Sequence, residues 1–217
     1  MLSDFQAIVD DLVRDESAEI TADSRERAIA LAVTRYSTDR PRAAIEEVTA
    51  VAGEMQDLPP GWDAQFSAIA EVKRTGGDKI PAAVELTLGG EKIRLGWSVT
   101  AGEELQILYT QLHVVSEVED TVPFKDREAV CCWAASLLLE QLASLYAGHQ
   151  QSTLDADAVN FGTKAGDYAR RAQRMRQTYL DHLGIDPKRN VAAGVVVDLD
   201  QAASDGKRRL FKTGVLR

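Results

Sequence analysis

Apolar side chains recur at helical spacing toward both ends of the chain and closer to strand spacing through its middle, which divides it into three parts. Phe5, Ile8, Val9, Leu12 and Val13 fall three and four residues apart, predicting a first helix capped by Ser3, with Asp4, Asp10, Asp11 and Asp15 beside its apolar stripe. A second helix is expected in TADSRERAIALAVTRYS. Thr21 is its N-cap, Asp23 meets the positive end of the dipole, and Ala28, Leu31, Ala32 and Tyr36 form the buried stripe until Pro41 bars continuation.

The period then changes. AAIEEVTAV and FSAIAEVKR are predicted strands separated by the turn-rich DLPPGWD. VELTL and EKIRLGW flank Gly89-Gly90, a two-residue turn able to take the positive φ of a tight hairpin, and ELQILYTQLH follows a turn at Ala101-Gly102. Helical spacing returns in VPFKDREAVCCWAASLLLEQLASLYAG, from Pro123 to Gly148. Val130, Trp133, Ala134, Leu137, Leu138, Leu142, Leu145 and Tyr146 leave it little polar surface, so it belongs at the centre of a helical core. A last helix is expected from a Thr163 cap to a Gly184 stop, with Ala165, Tyr168, Ala172, Met175, Tyr179 and Leu183 inward. The expected fold is α+β: one domain over residues 1–185, with a helical core from 1–41 and 123–185, a small antiparallel β insertion over 42–122, and an extended arm and basic tail over 186–217.

Charge sharpens this division. The 217-residue chain has a net charge of −9, yet residues 205–217, DGKRRLFKTGVLR, hold five basic residues against one acid, while residues 1–57 hold thirteen acids against six bases. General duplex binding is disfavoured for so acidic a protein, since affinity for DNA is built on phosphate neutralisation. The N-terminal residues carry neither a basic n-region nor a long apolar h-region, and no apolar run approaches the roughly 18 residues of a membrane helix, so a soluble protein that begins in a cytoplasm, with no membrane contact, is expected. Cys131 and Cys132 are adjacent in an apolar segment, which suits two buried thiols better than a disulfide framework or a zinc site.

Candidate chemistry is sparse. His113, His149 and His182 are expected in a strand, a helix-end loop and a helix end, without the acid and nucleophile of a triad. Glu46-Glu47 and Glu103-Glu104 alternate faces if their segments are strands, and TGGDK lacks the spacing of a phosphate loop. Neither catalytic residues, a metal site nor a cofactor are expected. Two basic features stand out. Arg170, Arg171, Arg174 and Arg176 occupy two turns of the last helix, either as a solvated face or as a docking face for an acidic partner or phosphate. In the arm, Val195, Val196, Val197 and Leu199 are β-formers that can dock on the chain's own β module or add to another protein's sheet, followed by Lys207, Arg208, Arg209, Leu210, Phe211, Lys212 and Arg217.

ITADSRERAIALAVTRYSTDRPR, DLPPGWDAQFSAIAEV, VPFKDREAVCCWAASLLLEQLASLYA and DYARRAQRMRQTYLDHLGI together resemble the head-tail connector, or adaptor, proteins of tailed bacteriophages and prophages, over nearly the whole chain to about Ile185. RYSTDRPR at the second helix exit and YARRA in the last helix carry the resemblance most directly, as packing rather than chemical signatures. The resemblance implies a helical core with a β insertion, assembled as a homo-oligomeric ring of twelve copies below the portal protein. Such a ring extends the channel through which genomic DNA passes without sequence-specific binding, and carries the next neck, stopper or tail protein. It implies a virion location at the neck, with assembly in the host cytoplasm, and a C-terminal segment, here Asn190 to Arg217, that reaches the portal. Lys207, Arg208, Arg209 and Lys212 are then charge contacts and Leu210 and Phe211 apolar anchors, on the portal or on a neighbouring copy. The alternatives are a nucleic-acid-binding regulator that uses the arginine helix, or another neck or tail-completion protein.

Overall fold

The computed structural model describes residues 1–14, 18–148 and 161–186. Asp15, His149 and every arm residue from 187 onward, including Val195–Val197 and the basic tail, lie outside the described residues. The fold is α+β, with four α-helices and two small antiparallel sheets among the described residues. Among the described residues, helices pack on helices and strands on strands, so there are two hydrophobic cores.

The helical core gathers around α3 (Arg127–Gly148), which the other three helices cover: α1 (Leu2–Val13), α2 (Ala22–Asp39) and α4 (Phe161–Leu183). Val130, Cys131, Ala134, Ala135, Leu138, Leu139 and Leu142 are all buried, as expected of a helix apolar on most sides. The stretch Phe124–Gly148 is long and apolar enough, by length and composition, to cross a membrane, contrary to the reading from uninterrupted runs; 61% of its most apolar window is buried under its neighbours. Phe5, Val9 and Val13 of α1 and Ala172 and Tyr179 of α4 meet it. Both cysteines are free and buried, and burial pushes the Cys131 and Cys132 thiols up to about 12 and about 11.

Several helix boundaries depart from expectation. Ser3 is not a cap: α1 already starts at Leu2, whose backbone N–H is taken by Ser116 O at 3.2 Å, so a partner distant in sequence does the work of a local side chain. Thr21 does cap α2, its Oγ1 accepting from Ser24 N at 3.2 Å. Leu31 is 60% exposed, because the buried stripe of α2 runs through Ala28, Ile29, Ala32, Val33 and Tyr36 and leaves Leu31 on the opposite side. α4 begins at Phe161, two residues ahead of Thr163, and stops as expected at Gly184, with φ +70°.

The insertion forms two antiparallel sheets. β1 (Arg42–Thr49), β7 (Glu104–Gln111), β3 (Ile69–Arg74) and β4 (Lys79–Ile80) make one in that order; β2 (Gly53–Gln56), β6 (Gly90–Val99) and β5 (Ala82–Thr87) make the other. Val72, Ile80, Leu105, Ile107 and Tyr109 from the first close on Ile93, Leu95 and Val99 from the second. Pro81 separates β4 from β5, so the chain leaves one ladder and joins the other at a residue with no N–H to donate. The hairpin between β5 and β6 closes with Thr87 opposite Gly90, which puts the turn at Leu88-Gly89, one residue before the Gly-Gly reading. β2 was not foreseen: its inward residue is Gln56, whose amide is satisfied by Val51 N, Val51 O and Gly53 O.

Candidate functional site

The two cores meet in a hydrogen-bonded junction built where α2 hands the chain to β1 and where β7 returns it to α3. His113 lies just past the end of β7, not within a strand as expected, because pairing with β1 stops at Gln111 opposite Arg42. Its backbone N–H donates to Ser37 Oγ at 2.9 Å, its ring Nε2 is 3.0 Å from Arg40 O, and its Nδ1 is 3.0 Å from Thr121 O. The ring also packs on Tyr36, with centroids 4.9 Å apart. One side chain thus ties the exit of α2 to the segment that leads into α3.

Below it, Asp126 closes the 3-10 turn Phe124–Asp126 that precedes α3, and its side chain is only 2% exposed. A buried carboxylate needs its lone pairs filled. Asp126 Oδ2 accepts from Tyr36 Oη at 2.7 Å and from Arg40 at 3.0 Å, and Oδ1 meets His182 Nε2 at 2.7 Å. Since a carboxylate can only accept, that imidazole nitrogen carries a proton. Burial alone would raise the Asp126 carboxyl, but the hydrogen bonds from Tyr36 and His182 and the Arg40 charge outweigh it and hold it below its ordinary value. Burial, with the Asp126 carboxylate adding to it, pushes the Tyr36 hydroxyl up to about 12. A parallel contact fixes α4 to α2: Tyr179 Oη donates to Asp39 Oδ2 at 2.7 Å, and Arg35 pairs with the same oxygen at 2.8 Å. The chemistry is that of a clamp. Two buried hydroxyls, of Tyr36 and Tyr179, each donate to a carboxylate that also takes an arginine.

The four arginines of α4 divide. Arg171 reaches across to donate to Leu12 O at 3.0 Å and Val13 O at 2.8 Å, filling the carbonyls orphaned where α1 ends and Arg14 turns left-handed at φ 49°. Arg176 pairs with Glu140 at 2.6 Å and lies over the Trp133 ring, 5.6 Å from its centroid. Arg170 and Arg174 are exposed, and Arg170 pairs with Asp167 in its own helix. Two of the four expected docking residues therefore hold the helices together, leaving Arg170 and Arg174 with Lys164 around a shallow basic depression.

A second polar cluster seals the β module. Tyr109 Oη donates to Glu46 Oε1 at 2.7 Å, and Gln111 Nε2 donates to Tyr109 Oη at 2.9 Å and to Gly61 O at 2.7 Å. The loop DLPPGWD lies over this end: Trp62 packs on Tyr109 and donates to Glu91, and Asp63 accepts from Leu112 N. A side chain at position 61 would put its Cβ 2.1 Å from Gln111 Nε2 and 2.6 Å from Tyr109 Oη, so it would have to displace the Gln111 amide and the Tyr109 hydroxyl from this cluster. Among the described residues no three His, Cys, Asp or Glu side chains gather to hold a metal.

Sequence reasoning named His113 and His182, with His149, without giving them chemistry and placed Tyr36 in the buried stripe of α2, but it missed the joining of these groups through Asp126 and Arg40. The one local signal was an acid at the first turn of an otherwise apolar helix, which reads equally as a dipole partner. Neither a protein-family model nor a curated protein matches this chain.

Proposed function

We propose that the chain is a structural subunit of a phage neck, a head-tail connector that assembles as a ring below the portal. The observation that carries the reading beyond the resemblance is the set of large apolar side chains left uncovered on both halves of the molecule. Leu31 and Leu145 flank a groove between α2 and α3, Phe124 stands out at the foot of α3, and Leu86, 80% exposed, projects with Leu88 from the β5–β6 hairpin. Uncovered apolar side chains spread over several faces are what a subunit with neighbours on each side requires.

Two separately packed cores joined by a clamp suit such a part: the helical core forms the ring wall and the β module projects from it. Contacts too weak to hold one subunit become strong when repeated around a ring. The acidic N-terminal part, repeated on each copy, keeps passing DNA from adhering.

Native mass spectrometry and electron microscopy of the purified chain, alone and mixed with portal particles, test this. Rings, or a complex with the portal, are expected; a chain that stays monomeric at high concentration and ignores the portal overturns it. The regulator alternative keeps Arg170 and Arg174 of its four arginines exposed for phosphate, and salt-dependent duplex binding weakened by Arg170→Ala and Arg174→Ala would favour it instead.

A further inference from the structure

Among the described residues the two sheets end in four edge strands, and these are of two kinds. β4, at one end of the first sheet, is two residues long, carries Lys79 and runs into Pro81. β2, at one end of the second, is four residues long, and its register against β6 shifts between Gly53 and Met55. Shortness, lysine, proline and bulges are the devices that keep a sheet edge from pairing with another chain. β1 and β5, the opposite ends of the same two sheets, show none of them. β1 pairs with β7 over eight residues and β5 with β6 over six, both without a register shift, and neither strand contains lysine or proline.

Both open edges present backbone groups and apolar side chains. Ala50 N donates to Glu103 O at 2.7 Å, so by alternation along the ladder Ala43, Ile45 and Glu47 turn their N–H and C=O away from β7. Gly96 N donates to Pro81 O at 2.7 Å, so Ala82, Val84 and Leu86 turn theirs away from β6. Ile45 is 68% exposed on the first edge, and Val84 and Leu86 are 38% and 80% exposed on the second. The edges also lie on opposite sides of the module. Residues 50–52 join β1 to β2 and Pro81 joins β4 to β5, so each side has one open and one blunted edge. A two-fold pairing of β1 with β1, or of β5 with β5, fills one edge and leaves the other open. Pairing β1 with β5 fills both on every copy and, because it joins unlike surfaces, repeats from subunit to subunit.

We propose that β1 of one subunit adds as a strand to β5 of a second copy of this chain, their outward N–H and C=O groups bonding each other and Ile45, Val84 and Leu86 taken from water. The pairing rests on the ring reading above and names the contact between neighbours in that ring.

The test uses the full chain with Ile45→benzoylphenylalanine, photolysed as an equal mixture of light and isotope-heavy protein, with cross-links mapped by mass spectrometry. Links that join light to heavy chains and fall on residues 82–88 are expected. They should drop about tenfold on Leu86→Lys, a change at an exposed position that gives β5 the kind of charge Lys79 gives β4. Links onto β1 of the second chain, which mark a two-fold pair, overturn the pairing. Links within one chain onto residues beyond 186, links elsewhere, no links, or links that survive Leu86→Lys overturn it as well. A second experiment is independent of the probe. Ile45→Lys and Leu86→Lys, each with unchanged circular dichroism, should stay monomeric alone and form one-to-one heterodimers when mixed at high concentration, since the mixture keeps one open edge of each kind. Assembly of either variant by itself, or a mixture that stays monomeric, contradicts the pairing. Native mass of the unmodified chain reports the ring separately: a ring whose links miss β5 keeps the ring reading without this contact, and a monomer removes both.

Discussion

Asp126→Ala removes the acceptor shared by Tyr36, Arg40 and His182, and its cost can be worked from what each partner loses. The Tyr36 side chain is among the most deeply buried in the protein, so its hydroxyl is left without a partner where water does not reach, at about 1–3 kcal/mol. Arg40 and His182 have side chains 44% and 38% exposed, so water largely replaces the lost contact and each contributes about 0–1 kcal/mol. The expected loss is about 1–5 kcal/mol. Urea unfolding followed by helical circular dichroism measures it, and the β module, which packs separately, should unfold with its midpoint little changed. The pH dependence adds a sign. The folded Asp126 carboxyl titrates below its unfolded value of about 4, so its stabilisation is complete above that pH and drains as pH falls through the lower folded value. Asp126→Asn should flatten this acid limb. A loss under about 0.5 kcal/mol, within the range of ordinary surface changes, or an acid limb unchanged in Asp126→Asn would refute the clamp.

Gly61→Ala should destabilise the β module by about 1–3 kcal/mol, because the new methyl displaces the Gln111 amide from Gly61 O and crowds Tyr109; near-ultraviolet dichroism of the module's tryptophans would register it, and a neutral result would refute the tight approach. Arg171→Ala should cost about 1–2 kcal/mol by uncapping α1, whereas Arg170→Ala should cost under about 0.5 kcal/mol; equal costs by thermal unfolding would contradict the division of the arginines. Neither cysteine should alkylate at mildly alkaline pH in the folded protein, because burial holds both thiols protonated and out of reach, and both should react on unfolding. Rapid labelling of the native chain would contradict their burial.

Where structure depends on neighbours in sequence, the chain is readable: Thr21 caps α2 by accepting from Ser24 N three residues ahead, and Gly102, at φ +87°, makes the turn before β7. Where it depends on remote partners, the sequence is silent. Tyr36 and Asp126 are 90 positions apart, and Arg171 finds its carbonyls 158 and 159 positions away. A cluster of four arginines therefore looked uniform in sequence but carries three different jobs. β2 was hidden for another reason, since a buried glutamine that satisfies itself on its own loop breaks the alternation by which strands are recognised.

Arg42 and Gln111, the residues at which the chain enters and leaves the β module, are partners in one antiparallel ladder. Their Cα atoms are thus about 5 Å apart, a gap that a hairpin loop of two to five residues closes. At the level of the gene, residues 43–110 behave as a cassette: they can be shortened, lengthened or exchanged while the helices on either side keep their register. The helical core and the β module are free to diverge at different rates.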